Sequence, residues 1–101
     1  MSKREPQEQP DAYELVFTAL AHPARRRILM TVHFKGGAMT AGEIAHLFKH
    51  AWPTTTRHLQ VLESAGLLGH ERKGRTRQYR IDRRRLELVG KWLAWFSKDP
   101  K

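Results

Sequence analysis

Thr54, Thr55, Thr56, Arg57 and His58 follow Pro53 without interruption, and the same stretch ends as the apolar pattern Leu59, Leu62, Ala65. Three hydroxyls, a guanidinium and an imidazole at the start of one helix make a compact set of hydrogen-bonding groups. Hydroxyls bond to base edges or phosphate oxygens, and arginine forks onto guanine or a phosphate. A helix that only fills a core has no use for such a tip. A second cationic cluster lies between residues 67 and 85, where eight Lys and Arg stand against Glu71 and Asp82. Six of the nine net positive charges of the 101-residue chain therefore sit in this one segment. Such a concentration favours polyanionic partners.

Other chemistry is poorly served. The chain has no cysteine, which removes disulfides, thiolate metal sites and a thiol nucleophile. It also lacks a Gly-rich phosphate loop and a set of acid and base residues at useful spacing, so an enzyme is the weakest reading. His46 and His50 stand four apart, a spacing that can chelate a metal from a helix. No third ligand stands near them in sequence, and His50 falls in a turn, so neither a metal site nor a cofactor is expected. No apolar run approaches the roughly 20 residues of a membrane span. "MSKREPQEQP" carries no apolar signal core, and the expectation is a cytoplasmic protein with no membrane partner. The length suits one small domain, marginal alone and helped by a partner subunit.

These groups need elements to position them. Residues 1–10 read as a disordered tail, 11–97 as one folded domain, and 98–101 as a C-terminal tail. A first helix starts near Asp11, a good N-cap, with Tyr13, Val16, Phe17 and Leu20 at helical spacing. Pro23 opens a second, with Ile28, Leu29 and Val32 inward and Gly36-Gly37 at its end. Thr40 and Glu43 form a capping box for a short third helix with Ile44, Leu47 and Phe48 on its apolar side. Residues 49–53 connect it to the helix that carries the polar tip, which Gly66 stops. Around Lys73-Gly74 the pattern becomes a hairpin with a basic tip. Residues 83–97 return to helical period. Leu86, Val89, Leu93 and Phe96 form one stripe, and Leu88, Trp92 and Trp95 form another beside it. The predicted fold is mainly α with a two-stranded β wing: four helices, two strands and a fifth helix, a winged helix-turn-helix. In that unit the second helix of the pair enters the major groove by its first residues, which answers to the layout of 53–66.

The segments "LAHPARRRIL", "MTAGEIAHLF", "PTTTRHLQVLESAGLL" and "GRTRQYRID" together span much of residues 12–96. In them the chain resembles the ArsR/SmtB family of bacterial winged-helix repressors. The resemblance implies a homodimer that represses by blocking promoter access. It also places Thr40 and Gly42 where arsenic sensors carry Cys-x-Cys, and Arg83-Arg84-Arg85 where zinc sensors begin their last helix with Asp-x-His. No histidine follows His70. The implied type is therefore one that does not sense metals through either familiar site, and its small-molecule effector is open.

The expected DNA-reading residues are Trp52, Thr54, Thr56, Arg57, His58 and Gln60. His58 reads either as a phosphate ligand or as a group bonded within its own fold, and Thr55 as half-buried. The expected wing contacts are Lys73, Arg75 and Arg77. Arg25 or Arg27 is expected to pair a carboxylate such as Glu63. Leu86, Val89, Trp92, Leu93 and Phe96 offer more apolar surface than one terminal helix needs, and are expected to form a dimer seam. The functional expectation is a homodimeric transcriptional repressor on a palindromic double-stranded DNA operator. The rivals are a metal- or ligand-responsive sensor of the same fold and a winged helix that recruits protein.

Overall fold

A computed structural model of the chain describes residues 11–48 and 52–99. Helix α1 covers Ala12–Leu20 and α2 Pro23–Phe34; strand β1 is Ala38–Thr40, followed by α3 Ala41–Leu47 and α4 Trp52–Ser64. Strands β2 Leu68–Lys73 and β3 Thr76–Ile81 form the hairpin, α5 runs Arg83–Ala94, and a 3₁₀ turn covers Trp95–Ser97.

Local chemistry accounts for most boundaries. The Asp11 carboxylate accepts the Glu14 N–H at 2.8 Å and starts α1. His22 Nδ1 accepts the Ala24 N–H at 3.1 Å ahead of Pro23, which opens α2. The guanidinium of Arg25 returns to the end of α1, donating to the carbonyls of Ala19 (2.7 Å) and Thr18 (3.3 Å), and Arg26 donates to Leu20 at 2.8 Å. These bonds satisfy carbonyls that the helix end would leave orphaned. The expected carboxylate pairing of Arg25 or Arg27 is thus corrected. Arg27 lies over the Phe48 ring at 5.2 Å, and Glu63 instead bonds His70 at 2.5 Å. The Thr40–Glu43 capping box forms in both directions, at 3.1 and 2.9 Å. At the end of α4, Leu67 donates back to Leu62 and Gly66 to Glu63, with Gly66 at φ +79°. This is a Schellman cap, which favours glycine because a side chain at that φ is strained.

The sheet has three antiparallel strands in the order β1-β3-β2, one more than the two-stranded wing expected. Ala38, Met39 and Thr40 pair with Arg80, Tyr79 and Gln78. A three-residue strand is too short to show alternation, so it was invisible to periodicity. The core gathers Val16 and Ala19 of α1, Ile28 and Val32 of α2, Ile44 of α3, Leu59 and Leu62 of α4, and Leu67, Leu68 and Tyr79 around the hairpin base. Every helix and strand but α5 contributes a buried residue, and neither α5 nor the 3₁₀ turn that follows it has one.

Candidate nucleic-acid interface

The helix-turn-helix pair is α3 and α4, and α4 presents two faces. Thr55, His58, Leu59 and Leu62 point inward and are buried, while Trp52, Thr54, Arg57 and Gln60 are exposed and Thr56 is half-buried. The 3.6-residue period produces this split. Trp52, at the first turn, is 55% exposed.

His58, expected among the DNA-reading residues, does not lie on the exposed face of α4. It is only 6% exposed, its ring lies 4.5 Å from that of His22, and its Nδ1 is 3.5 Å from the Arg25 guanidinium. Of the two readings of this residue, bonding within its own fold is the one that matches its position. It ties the base of α4 to the start of α2. Thr55 is fully buried rather than half-buried, and its Oγ1 has no hydrogen-bond partner among the described residues.

The wing turns through Gly74-Arg75. Gly74 adopts φ +63°, no non-glycine residue among the described residues has a positive φ, and Thr76 Oγ1 donates to the Lys73 carbonyl at 2.9 Å. Glycine at the first central position is what a two-residue II′ hairpin turn requires. The register then sets Lys73 opposite Thr76 and Arg72 opposite Arg77. Two like charges directly across a strand pair destabilise it. Among the described residues neither arginine has an ion pair. Arg72, not among the expected wing contacts, stands beside Arg77 because the two-residue turn sets the two opposite each other.

These parts meet in one cleft. Trp52, Thr56 and Leu59 of α4, Arg72, Arg75, Thr76 and Arg77 of the wing, and Ala41 and Gly42 at the start of α3 line a groove of about 420 Å³. Lys73 is not among the residues that line it, although its cross-strand partner Thr76 is. Arg57 and Gln60 line a second groove with Glu14, Leu15 and Thr18 of α1. The expected contacts therefore fall into two sets: Trp52, Thr56, Arg75 and Arg77 on the wing side, and Arg57 and Gln60 on the α1 side, with Thr54 exposed at the tip.

Not all the positive charge is available. Arg80 bonds Glu71 at 3.4 Å, Arg84 bonds Asp82 at 2.7 Å, and Arg85 donates to the Ala65 carbonyl at 3.4 Å. The remaining cations of the hairpin cluster around its tip. Hydrogen bonds to Asp82 from the Arg84 guanidinium and the Arg84 backbone N–H hold that carboxyl down at about 2, against an ordinary 3.8.

The dimer-seam candidates also divide. Leu86 and Val89 are half-buried against the chain's own core, as is Leu88. Trp92 (43%), Leu93 (55%), Trp95 (66%) and Phe96 (72%) stay exposed. Trp92 touches Phe17 of α1 at 5.2 Å and Phe96 at 4.9 Å, so an aromatic row crosses from α1 to the end of α5.

Of the possible metal pair, His46 is exposed on α3 and His50 lies outside the described residues. Among the described residues no three His, Cys, Asp or Glu side chains gather as a metal would need, and no helix is long and apolar enough to cross a membrane.

A family model described as a helix-turn-helix domain matches residues 20–71. The transcriptional repressor SdpR of Bacillus subtilis (strain 168) is 37% identical over 81 residues, covering 80% of this chain and 88% of the relative. The crystal structure of the ArsR family transcriptional regulator RHA00566 superposes with a TM-score of 0.80 at 31% identity, over 86% of this chain and 93% of that one. The homodimeric winged helix-turn-helix DNA-binding domain Mb0332 of Mycobacterium bovis shares the fold, with a TM-score of 0.69 at 24% identity over 100% of this chain and 94% of that one. With the helix-turn-helix pair, the basic wing and these likenesses in agreement, the chain belongs to the ArsR family of winged helix-turn-helix transcriptional regulators.

Proposed function

We propose that the protein represses transcription as a homodimer, each subunit placing the tip of α4 in the major groove of one half of a palindromic operator while its wing grips the flanking backbone. The observation that carries this reading is the shared cleft. Trp52 and Thr56 on the recognition helix stand across from Arg72, Arg75 and Arg77 on the wing, with Arg72 and Arg77 held opposite each other. A strand pair that keeps two arginines face to face gives up stability, and a line of phosphates would offset that cost. Repression is the activity named for the Bacillus relative, and homodimerisation for the Mycobacterium domain. Residues 11–97 would be the working unit, with Trp92, Leu93, Trp95 and Phe96 closing the seam between subunits.

The roles divide by element. Thr54, Thr56 and Arg57 would read base edges or adjoining phosphates, and the wing would anchor. Titrations of operator and random duplex at several salt concentrations test the division. Arg57→Ala should cost ~1–3 kcal/mol at the operator and narrow its advantage over random DNA. Arg75→Ala should weaken both duplexes by similar factors and lower the salt slope by about one. The reverse pattern would assign reading to the wing and anchoring to the helix.

A further inference from the structure

Away from the DNA-facing cleft, α2 exposes two large apolar side chains, Met30 (58%) and Phe34 (75%), four residues apart on one helix face. They border a groove of about 320 Å³ whose remaining apolar lining is Leu20, Leu29, Ile81 and Leu86. That volume lies at the small end of the range for small-molecule pockets, about 300–1,000 Å³. Among the described residues, the only polar ones around it are Arg26, His33 and Arg83. None is acidic, and two carry a permanent positive charge. Arg26 gives one N–H to the Leu20 carbonyl at 2.8 Å and keeps the rest of its fork; Arg83 has no ion pair among the described residues.

We infer that this groove is a binding site for a small amphiphile with an apolar chain and a single carboxylate, such as a medium-chain fatty acid. The chain would lie on Leu29, Met30, Phe34 and Leu86, and the carboxylate would meet the guanidinium of Arg26 or Arg83 at the rim. Charge complementarity selects the anion: an apolar cation would meet two positive charges and no carboxylate. The groove is also distinct from the exposed aromatic end of α5. Leu86 and Leu93 are seven residues apart, about 10 Å along the helix. Its wall includes Ile81 at the end of β3 and Leu86 in the first turn of α5, the two sides of the Asp82 joint between wing and last helix. An occupant would therefore touch the junction of the DNA-gripping and subunit-pairing elements. This inference adds a ligand site to the proposed repressor and does not depend on that reading.

The test uses the full chain with methyl-labelled methionines and two probes, decanoate and decanol, each kept below the concentration at which it self-associates. Decanoate should saturate at one per subunit, shifting the Met30 methyl and leaving that of buried Met39 unmoved. Decanol should bind about tenfold more weakly or worse, since it lacks the charge-assisted bond. Arg83→Glu combined with Arg26→Gln should remove the preference for decanoate. Phe34→Glu and Met30→Glu, both at exposed positions, should abolish binding of either probe while circular dichroism and the unfolding midpoint stay near wild type. Non-saturating binding, equal affinity for the two probes, or undiminished binding by both groove variants would overturn the proposal. So would conversion of a wild-type dimer to a monomer by Phe34→Glu in light scattering, because a second copy of the chain would then be what covers the groove.

Discussion

Arg72 and Arg77 make opposite demands on folding and on binding. Their side chains share one face of the hairpin, directly opposed, and extend the face that carries Tyr79 and Leu68 into the core. Arg72→Ala should therefore raise folding stability, by about 0.2–1 kcal/mol, as the like-charge pair is relieved. The same change should lower the salt slope of DNA binding by about one contact. Urea unfolding and salt-dependent titration check the two signs separately, and a loss of stability would show that the pair is held by something other than DNA. Thr55 is a second residue where function and stability separate. Its hydroxyl is buried without a hydrogen-bond partner among the described residues, one position from Thr54 and Thr56, the residues proposed to read DNA. Thr55→Val keeps the shape and removes the unsatisfied group. It should stabilise the fold by ~1 kcal/mol and leave operator affinity unchanged. Reduced stability on urea unfolding would mean that the hydroxyl has a partner in solution.

At the scale of elements, the joint between β3 and α5 is a single residue, Asp82, which caps α5 by accepting the Arg84 N–H at 3.0 Å and also bonds the Arg84 guanidinium. Its carboxyl is held at about 2, below the 3.8 expected without those bonds. A depressed carboxylate contributes stability that is fully present above the unfolded value and is lost as pH falls through the folded one. Wild type should therefore be more stable than Asp82→Asn at pH 6, and the difference should shrink between about pH 4 and 2. Denaturant midpoints measured at steps across that window check it; a difference that stays constant to pH 2.5, or no difference at pH 6, would show that the ionised carboxylate is not the source of the benefit. The element boundaries were largely legible in the sequence, because caps and glycines act locally: Asp11, the Thr40–Glu43 box and Gly66 each work within a few residues. What stayed hidden depends on partners distant in sequence. Strand β1 exists because β3 pairs with it, and nothing within Ala38–Thr40 signals that. His58 is polar and sits among DNA-facing candidates, yet it is buried because α2 brings His22 and Arg25 over it. Helical phase could have flagged it, since Thr55, His58 and Leu62 lie on one face, three and four apart.

The molecule as a whole has an unbalanced surface. One side offers a cationic cleft. Near the end of the chain, Trp92 and Leu93 of α5 and Trp95 and Phe96 of the 3₁₀ turn stand exposed, on two elements that bury nothing completely. Helix α5 packs on α1 through Phe17 and Trp92, and that contact leaves the rest of its apolar surface uncovered. Scattered apolar residues on a surface need no explanation, but a contiguous aromatic group marks an association site. A twofold interface uses the same patch on both subunits, so one substitution alters the seam twice. Leu93 is the cleanest probe, since it is exposed in the single subunit and has no aromatic contact within it, unlike Trp92. Leu93→Glu should leave the subunit folded. In a dimer it would bury two unpaired carboxylates, at a cost of roughly 3 kcal/mol or more. Light scattering at micromolar concentration should report a dimer for wild type and a monomer for the variant. Affinity for a full palindrome should fall towards that for a half-site, because two half-sites a helical turn apart need joined subunits. A wild-type monomer that binds a single half-site as tightly as the palindrome would remove the dimer from the mechanism and leave the exposed aromatic group to a different partner.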